Sequence, residues 1–342
     1  MYWEISLLFL IGFTLISFNK AKSCISFIFI LSFISGCFRR YGADFETYKE
    51  ILESFSLLSH YFFIDFSLEP FWYCFGFLLQ NVDFTIKLGI VFSLSYTLRY
   101  IAIIFFFKST ANRIIAFLFY ICIDLFNRDL GQIRNGLAAS ILCLIMVIIY
   151  KKKTHKTYPL YLLGLFHYSY LIFPILFHLS KKIRSKVIVF SCLLLSLISS
   201  YLIDFSIFKN IDYLFFAKLS IYSTPDSSYV VFKKYPASLY LVIFYSLLYF
   251  FINDTSKRKI GNTFLVLNTV YLCMYIAFSF SPIISSRILT IFTPLLMFYT
   301  PFFIKNIPLQ VSFKNKFALL SILLLFNYFF VQLIQYNNIY KS

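Results

Sequence analysis

The chain has 342 residues, of which 60% are hydrophobic, 22% are aromatic and only 13% are charged. A soluble domain carries about 25% charged residues, so this composition excludes a water-soluble protein and indicates that lipid surrounds most of the chain. The 31 Lys and Arg residues against 14 Asp and Glu would suggest a nucleic-acid partner in a soluble protein. In a membrane protein this excess records orientation, and we expect no nucleic acid.

Ten apolar stretches approach the length of about 20 residues that a membrane helix needs. The sequence therefore predicts an all-α, polytopic integral membrane protein with about ten transmembrane helices, folded as a single domain over residues 1–342. The predicted crossings are 2–18, 23–38, 84–107, 111–126, 137–150, 187–203, 236–252, 263–281, 287–303 and 317–334.

Two further apolar stretches, 66–82 and 157–179, are placed by the charges of the loops. Cytoplasmic loops carry Lys and Arg, and an even number of crossings must separate any two of them. The stretch 66–82 is then an external or re-entrant helix, and 157–179 is a hairpin of two half-helices broken near His167. The external loops are 39–83 and 204–235, and both termini lie outside the cytoplasm. Six loops hold 18 of the 31 basic residues: 19–22, 108–113, 151–156, 180–186, 253–260 and 303–316.

Polar residues cluster at the external membrane boundary, where ionisable side chains are costly. The first cluster contains Arg40, Asp44 and Tyr48. Arg40 is suited to an anionic headgroup or phosphate, and Asp44 lies one helical turn further along, on the same face of the predicted helix. Tyr48, one turn further, is a candidate platform for stacking a sugar. The alternative is an arginine pair that snorkels from a solvated loop.

The segment 127–138 predicts a helix start whose first turn is crowded with polar groups, among them Arg128, Gln132 and Arg134. A helix N-terminus offers backbone N–H groups to a phosphate, and Arg134 adds a positive charge. This segment is therefore the best anion site in the sequence.

The third cluster centres on His167, which could donate to a phosphate or act as an acid or base near neutral pH. The fourth contains Arg287, which enters the ninth crossing from outside. Arg99 is expected to snorkel to the cytoplasmic end of its helix and is left out of the site.

A polyprenyl diphosphate would suit these clusters, because arginines can neutralise a diphosphate leaving group. No zinc spacing, nucleotide-binding loop or other soluble-enzyme motif occurs.

The ordered set of motifs resembles the EpsG-like branch of the Wzy-type O-antigen polymerases. The resemblance rests on Arg40 to Asp44 with Tyr48, on Glu69-Pro70, on 132–138, on His167 to Ser169 and on Arg287. It implies an inner-membrane glycosyltransferase that needs neither a metal nor a nucleotide sugar. Such an enzyme transfers a growing glycan from undecaprenyl diphosphate to the non-reducing end of a lipid-linked repeat unit, at the periplasmic face. A chain-length-regulating co-polymerase is a further implied partner.

The resemblance also implies roles for individual residues. Arg134 and Arg287, with Arg40, would bind the diphosphate, and Asp44 or His167 would take the proton of the acceptor hydroxyl. The expected catalytic residues are Asp44, His167 and Arg134; the expected substrate-binding residues are Arg40, Tyr48, Glu69, Arg128, Gln132, Tyr168 and Arg287. The rival functions are a polysaccharide-lipid flippase, which would more often show two related halves, and an O-antigen ligase, whose main external loop is expected late in the chain.

Overall fold

The computed structural model describes residues 2–39, 45–53, 69–152, 157–183, 186–202, 242, 243, 246, 259–279 and 282–298. The described residues form helices and turns and contain no strand, which confirms the all-α prediction. The α-helices are α1 (Tyr2–Ser17), α2 (Ile25–Cys37), α3 (Phe45–Glu53), α4 (Pro70–Leu78), α5 (Phe84–Phe106), α6 (Thr110–Tyr120), α7 (Ile133–Lys152), α8 (Ile172–Lys182), α9 (Lys186–Leu202), α10 (Lys259–Ala277) and α11 (Pro282–Phe292). A π-helix covers Ile121–Asp129, and 3-10 helices cover Phe18–Lys20, Tyr158–Leu165, Tyr168–Leu171 and Thr293–Leu295.

The chain forms two compact units. The first comprises Met1–Leu171 and Pro294–Ser342, and the second comprises Ile172–Thr293. The first unit therefore contains α1 to α7, and the second contains α8 to α11. The single domain over residues 1–342 stays a prediction.

Among the described residues, three helices are long and apolar enough to cross a membrane: α1 with its 3-10 extension, α5 and α7. At 1.5 Å per residue, the 23 residues of α5 extend about 35 Å, more than the hydrocarbon core of about 30 Å. The helix begins at Asp83, whose side chain accepts the Thr85 backbone N–H at 2.8 Å. Hydrogen bonds from the Thr85 hydroxyl and backbone lower the pKa of this exposed carboxylate.

Further apolar helices occur in other predicted crossings, but they are shorter than a full span, so the count of ten stays a prediction. The predicted crossings 236–252 and 317–334 and the loop 204–235 lie outside the described residues, apart from positions 242, 243 and 246. The nine residues of α4 are too few to cross a bilayer, in agreement with an external or re-entrant helix.

Two glycines allow α2 and α5 to approach closely. A Cβ added to Gly36 would lie 2.8 Å from the Cα of Gly89, and one added to Gly89 would lie 2.5 Å from the Cys37 Sγ. Small residues at a helix crossing let backbones pack closely in membranes. The pair therefore fixes α2 against the long central helix of the first unit.

The described parts of three basic loops lie at one end of the first unit. Arg113 donates to the carbonyls of Phe107 and Phe18, both at 2.9 Å, which joins the 108–113 loop to the 19–22 loop. The ring of Tyr150, beside the 151–156 loop, lies 4.8 Å from that of Phe106. A common end is what the charge rule requires of loops on one side of a membrane.

The fourth predicted crossing, 111–126, differs from the expected single α-helix. Helix α6 ends at Tyr120, and the chain continues as a π-helix through Asp129. The polar segment 127–138 is thereby divided, because residues up to Asp129 close the π-helix and α7 begins only at Ile133. The sequence interpretation of one helix start was wrong for Arg128.

Candidate functional site

Glu69 connects three segments at the end of the first unit opposite the basic loops. Its backbone is extended, with φ −73° and ψ 147°, as expected for a residue before proline. Pro70 then starts α4, where its missing N–H costs nothing. The Glu69 side chain is directed into the protein and is only 5% exposed.

Arg134 is the cation that neutralises this carboxylate. Its Nη1 donates to Glu69 Oε2 at 2.8 Å, and its side chain is 25% exposed. The guanidinium carbon lies 5.7 Å from the centre of the Tyr48 ring, within the range of a cation–π contact. Arg134 occupies the first turn of α7, so the carboxylate and the aromatic ring hold its charge at the start of that helix.

His167 lies beside the other oxygen of Glu69. Its Nδ1 is 3.9 Å from Glu69 Oε1, and the same oxygen accepts the Tyr168 backbone N–H at 3.3 Å. The chain leaves 3-10 geometry at Phe166 and His167 and resumes it at Tyr168, at the position where the sequence predicted a break. The indole of Trp72 donates to the Phe166 carbonyl at 2.9 Å and anchors this break to α4.

The Ser169 backbone indicates the tautomer of the neutral His167 ring. The Ser169 N–H donates to His167 Nδ1 at 3.3 Å, so Nδ1 acts there as an acceptor and the neutral ring carries its proton on Nε2. The Ser169 hydroxyl lies 2.8 Å from the same nitrogen. A partly exposed arginine is therefore paired with a buried carboxylate, and a ring N–H donor lies beside the same carboxylate, a combination suited to an anionic ligand.

Five of the ten predicted site residues come together here, namely Tyr48, Glu69, Arg134, His167 and Tyr168. Tyr48 is buried beneath the Arg134 guanidinium, which leaves little of its ring for the predicted sugar stacking. Tyr168 is exposed and is the better candidate for that contact.

Two of the other predicted residues, Gln132 and Arg128, have different partners. Gln132 accepts a hydrogen bond from the Asn135 amide at 2.9 Å, and Arg128 is buried in a separate ionic cluster. Arg287 lies exposed on α11 of the second unit. Arg40 and Asp44 lie outside the described residues.

The prediction that Arg99 snorkels to the cytoplasmic end was wrong, because the side chain is fully buried and ion-paired. It pairs with Asp124, and its Nε lies 3.5 Å from Asp129 Oδ2. Arg128 Nη1 lies 3.1 Å from Asp124 Oδ1. These two arginines and two aspartates, which we call the buried quartet, carry no net charge when all four are ionised.

Hydroxyl groups complete the buried quartet. The Arg99 Nε donates to Ser140 Oγ at 3.0 Å, and the Ser95 hydroxyl donates to Asp129 at 3.3 Å. The hydroxyl of Tyr120 donates to Asp129 as well. The signal that could have located this cluster is the position of Arg99 and Asp124 inside apolar stretches, where charged residues face partners within the protein.

A glycine brings the buried quartet against the start of α7. A Cβ added to Gly136 would lie 2.5 Å from Asp129 Oδ1 and 3.0 Å from the Asp129 Cα. Glycine is therefore required where the π-helix meets α7. In the part of the chain that the structure describes, no three His, Cys, Asp or Glu side chains converge as metal ligands would.

Comparison with known proteins places the chain in a family. The model of the EpsG family matches residues 22–342, which covers α2 and everything that follows it. No curated protein and no solved structure matches the chain. The family consists of polysaccharide polymerase-like membrane proteins, and this supports a polysaccharide polymerase-type function in general terms. Since the match covers well over half of the chain, including Glu69, Arg134 and His167, the chain belongs to the EpsG family.

Proposed function

We propose that this protein polymerises a surface polysaccharide from lipid-linked repeat units at the periplasmic face of the bacterial inner membrane. The growing glycan is carried on undecaprenyl diphosphate and is transferred to the non-reducing end of a new lipid-linked unit. The observation that carries the proposal is the ion pair of partly exposed Arg134 with buried Glu69, beside which His167 lies, in a chain that belongs to the EpsG family.

Arg134 binds the diphosphate in this proposal. An arginine has five N–H donors, and the ion pair with Glu69 uses one of them. When the bond from the anomeric carbon to the diphosphate oxygen breaks, negative charge collects on that oxygen. A fixed cation at this place stabilises the transition state more than the bound substrate. Arg40 and Arg287 are further diphosphate ligands that the sequence proposes.

His167 serves as a hydrogen-bond donor to the same diphosphate. Its neutral ring carries the proton on Nε2, because Nδ1 accepts the Ser169 N–H. The alternative role, removal of the acceptor proton by Nδ1, would require that nitrogen to lose its contacts with Ser169. Asp44 is then the proposed base, and it takes the proton of the acceptor hydroxyl as that oxygen attacks the anomeric carbon.

The remaining roles follow from what each side chain contacts. Glu69 positions Arg134 and the Tyr168 backbone, and Tyr168 offers an exposed ring to a sugar. The arginines supply the positive charge, so the proposed reaction uses neither a metal ion nor a nucleotide sugar. The lipid tail lies in the bilayer, and a co-polymerase that regulates chain length is a proposed partner.

The orientation is supported by the ends of the first unit. The described parts of the 19–22, 108–113 and 151–156 loops lie together, and the Glu69 group lies at the opposite ends of α5 and α7. If the basic loops are cytoplasmic, the Glu69 group faces the periplasm.

The first test is a gel of surface polysaccharide from cells lacking this protein, with and without the restored gene. A single repeat unit that becomes a ladder on restoration supports a polymerase. Loss of even the single unit would instead favour a flippase or a ligase. Accumulation of lipid-linked units on the inner or the outer leaflet separates these two.

Substitution of Arg134 tests the diphosphate role. Arg134→Ala is expected to abolish the ladder, and Arg134→Lys to shorten it, because lysine keeps the charge but loses the fork geometry of the guanidinium. The matched control is Lys152→Ala, which removes an exposed cation from the far end of the same helix and should leave the ladder unchanged. An unaltered ladder for Arg134→Ala at normal protein level would contradict the role.

A further inference from the structure

One buried hydroxyl joins the two segments that carry Arg134 and His167. The Tyr170 hydroxyl donates to Asn135 Oδ1 at 2.7 Å, and the two residues are 0% and 6% exposed. Asn135 directly follows Arg134 in α7. Tyr170 lies three residues after His167, whose carbonyl accepts the Tyr170 N–H at 3.0 Å.

Asn135 is held in one orientation by its other contact. Its amide nitrogen donates to Gln132 Oε1 at 2.9 Å, so the amide oxygen must face Tyr170. The next residue, Gly136, packs directly on Asp129 of the buried quartet. The first turn of α7 therefore packs, at Gly136, against the buried quartet that contains the ion pair of Arg99 and Asp124.

The Tyr170 ring also contacts the ring of His167. The centres of the His167 and Tyr170 rings are 6.0 Å apart with the planes at 69°. Two further links from this turn to the Arg134 side pass through Glu69 and are longer, 3.3 Å to the Tyr168 nitrogen and 3.9 Å to His167 Nδ1. The contact between Tyr170 and Asn135 is thus a shorter link than either of these and joins the two segments directly.

We propose that Tyr170 and Asn135 are positioning residues that set the separation between the Arg134 guanidinium and the His167 imidazole. The inference rests on the proposed function, because it assigns these two groups to one diphosphate. The hydroxyl of Tyr170 does not reach the substrate; it acts through the turn that carries His167. Displacement of a catalytic group by about 1 Å can lower a rate by about 100-fold, so a single buried hydrogen bond is sufficient for the effect.

The experiment uses the full-length protein in lipid nanodiscs. The substrate probe is the undecaprenyl-diphosphate-linked repeat units extracted from cells that lack this protein. Initial rates are measured against substrate concentration and divided by the amount of folded protein. Tyr170→Phe removes only the hydroxyl, and we expect kcat to fall about 10- to 100-fold with KM little changed, the pattern of an interaction that matters in the transition state.

Tyr100→Phe is the matched control. The Tyr100 hydroxyl is also buried and donates to the Ala21 carbonyl at 3.0 Å, but it lies beside the basic loops at the far end of the unit. We expect it to lower the unfolding temperature about as much as Tyr170→Phe while keeping kcat per folded molecule. A role limited to stability would give the two variants the same kcat.

Variants of Asn135 complete the test. Asn135→Leu should lower kcat as Tyr170→Phe does, and the double variant should be no slower than either, because both remove one contact. Asn135→Asp keeps an acceptor for the Tyr170 hydroxyl and should retain more activity than Asn135→Leu. Equal kcat for Tyr170→Phe and Tyr100→Phe overturns the positioning role alone. Wild-type protein that makes no polymer from these units overturns the proposed function and, with it, this role.

Discussion

Glu69 is a carboxylate whose two oxygens are both occupied. One accepts from Arg134, and the other accepts the Tyr168 N–H and lies near His167. In the proposed reaction, a carboxylate used in this way fixes its neighbours, and the acceptor proton goes to another group. At the scale of single residues, the proposed site is therefore organised around a group that need not touch the sugar.

Glu69→Gln tests this organising role. Glutamine keeps the shape and an acceptor oxygen but loses the charge, and a hydrogen bond to a charged group contributes about 1.5–3 kcal/mol. We expect polymerisation to slow by about 10- to 100-fold, as measured by the polymer formed per unit of membrane-inserted protein. Glu46→Gln on α3, an exposed residue, is the control and should match the wild type. Equal activity of both variants would remove Glu69 from the site.

The sequence identified the chemistry of these residues but not their pairing. Glu69-Pro70, Arg134 and His167 stand out because polar groups are rare in an apolar chain, whereas their separations of 65 and 98 positions carry no information about contact. Arg128 was grouped with Arg134 for the same reason, since the two are close in sequence. The π-helix separates the two arginines, and the sequence of residues 121–129 contains no pattern that predicts a π-helix.

At the scale of elements, the buried quartet fastens α5 to the π-helix, and Arg99 also reaches Ser140 of α7. Burying a charge is costly unless it is paired, so the four side chains depend on one another. Short π-helical segments occur often at functional sites. Here the π-helix directs Asp124 and Asp129 at Arg99 and supports the helix that carries Arg134.

Single and paired substitutions measure this dependence. Arg99→Met leaves Asp124 and Asp129 with one cation between them, and breaking a buried pair costs about 3–5 kcal/mol. Adding Asp124→Leu restores zero net charge, and the double variant should recover most of the lost stability. Urea unfolding of the protein in detergent micelles, followed by tryptophan fluorescence, gives the comparison. A double variant less stable than Arg99→Met would show that the charges are not coupled.

At the scale of the whole molecule, the pattern of charges in the loops describes the arrangement better than the count of apolar stretches does. The described parts of three basic loops that are distant in sequence share one end of the first unit, as the rule for cytoplasmic loops requires. The number of crossings is harder to predict. A stretch such as 111–126 satisfies a hydropathy criterion whether it forms one α-helix or, as here, an α-helix followed by a π-helix.

Cysteine accessibility tests the orientation. All seven cysteines are free, so a background without them can carry single replacements at exposed positions. Glu46→Cys and Gln80→Cys should react with a membrane-impermeant maleimide in intact spheroplasts, whereas Lys22→Cys and Lys108→Cys should react only after permeabilisation. The reverse pattern would place the Glu69 group in the cytoplasm and exclude a periplasmic reaction.

The buried quartet also has a consequence for biosynthesis. Arg99 emerges from the ribosome 25 residues before Asp124, so α5 reaches the translocon with a cation that has no partner yet. An arginine at mid-span adds about 2.5–3.5 kcal/mol to the free energy of inserting its helix into lipid. We therefore expect α5 to wait at the lateral gate until the residues of the π-helix arrive, and the two segments to enter the bilayer together. The expected insertion unit of this region is then a hairpin that contains both Arg99 and Asp124.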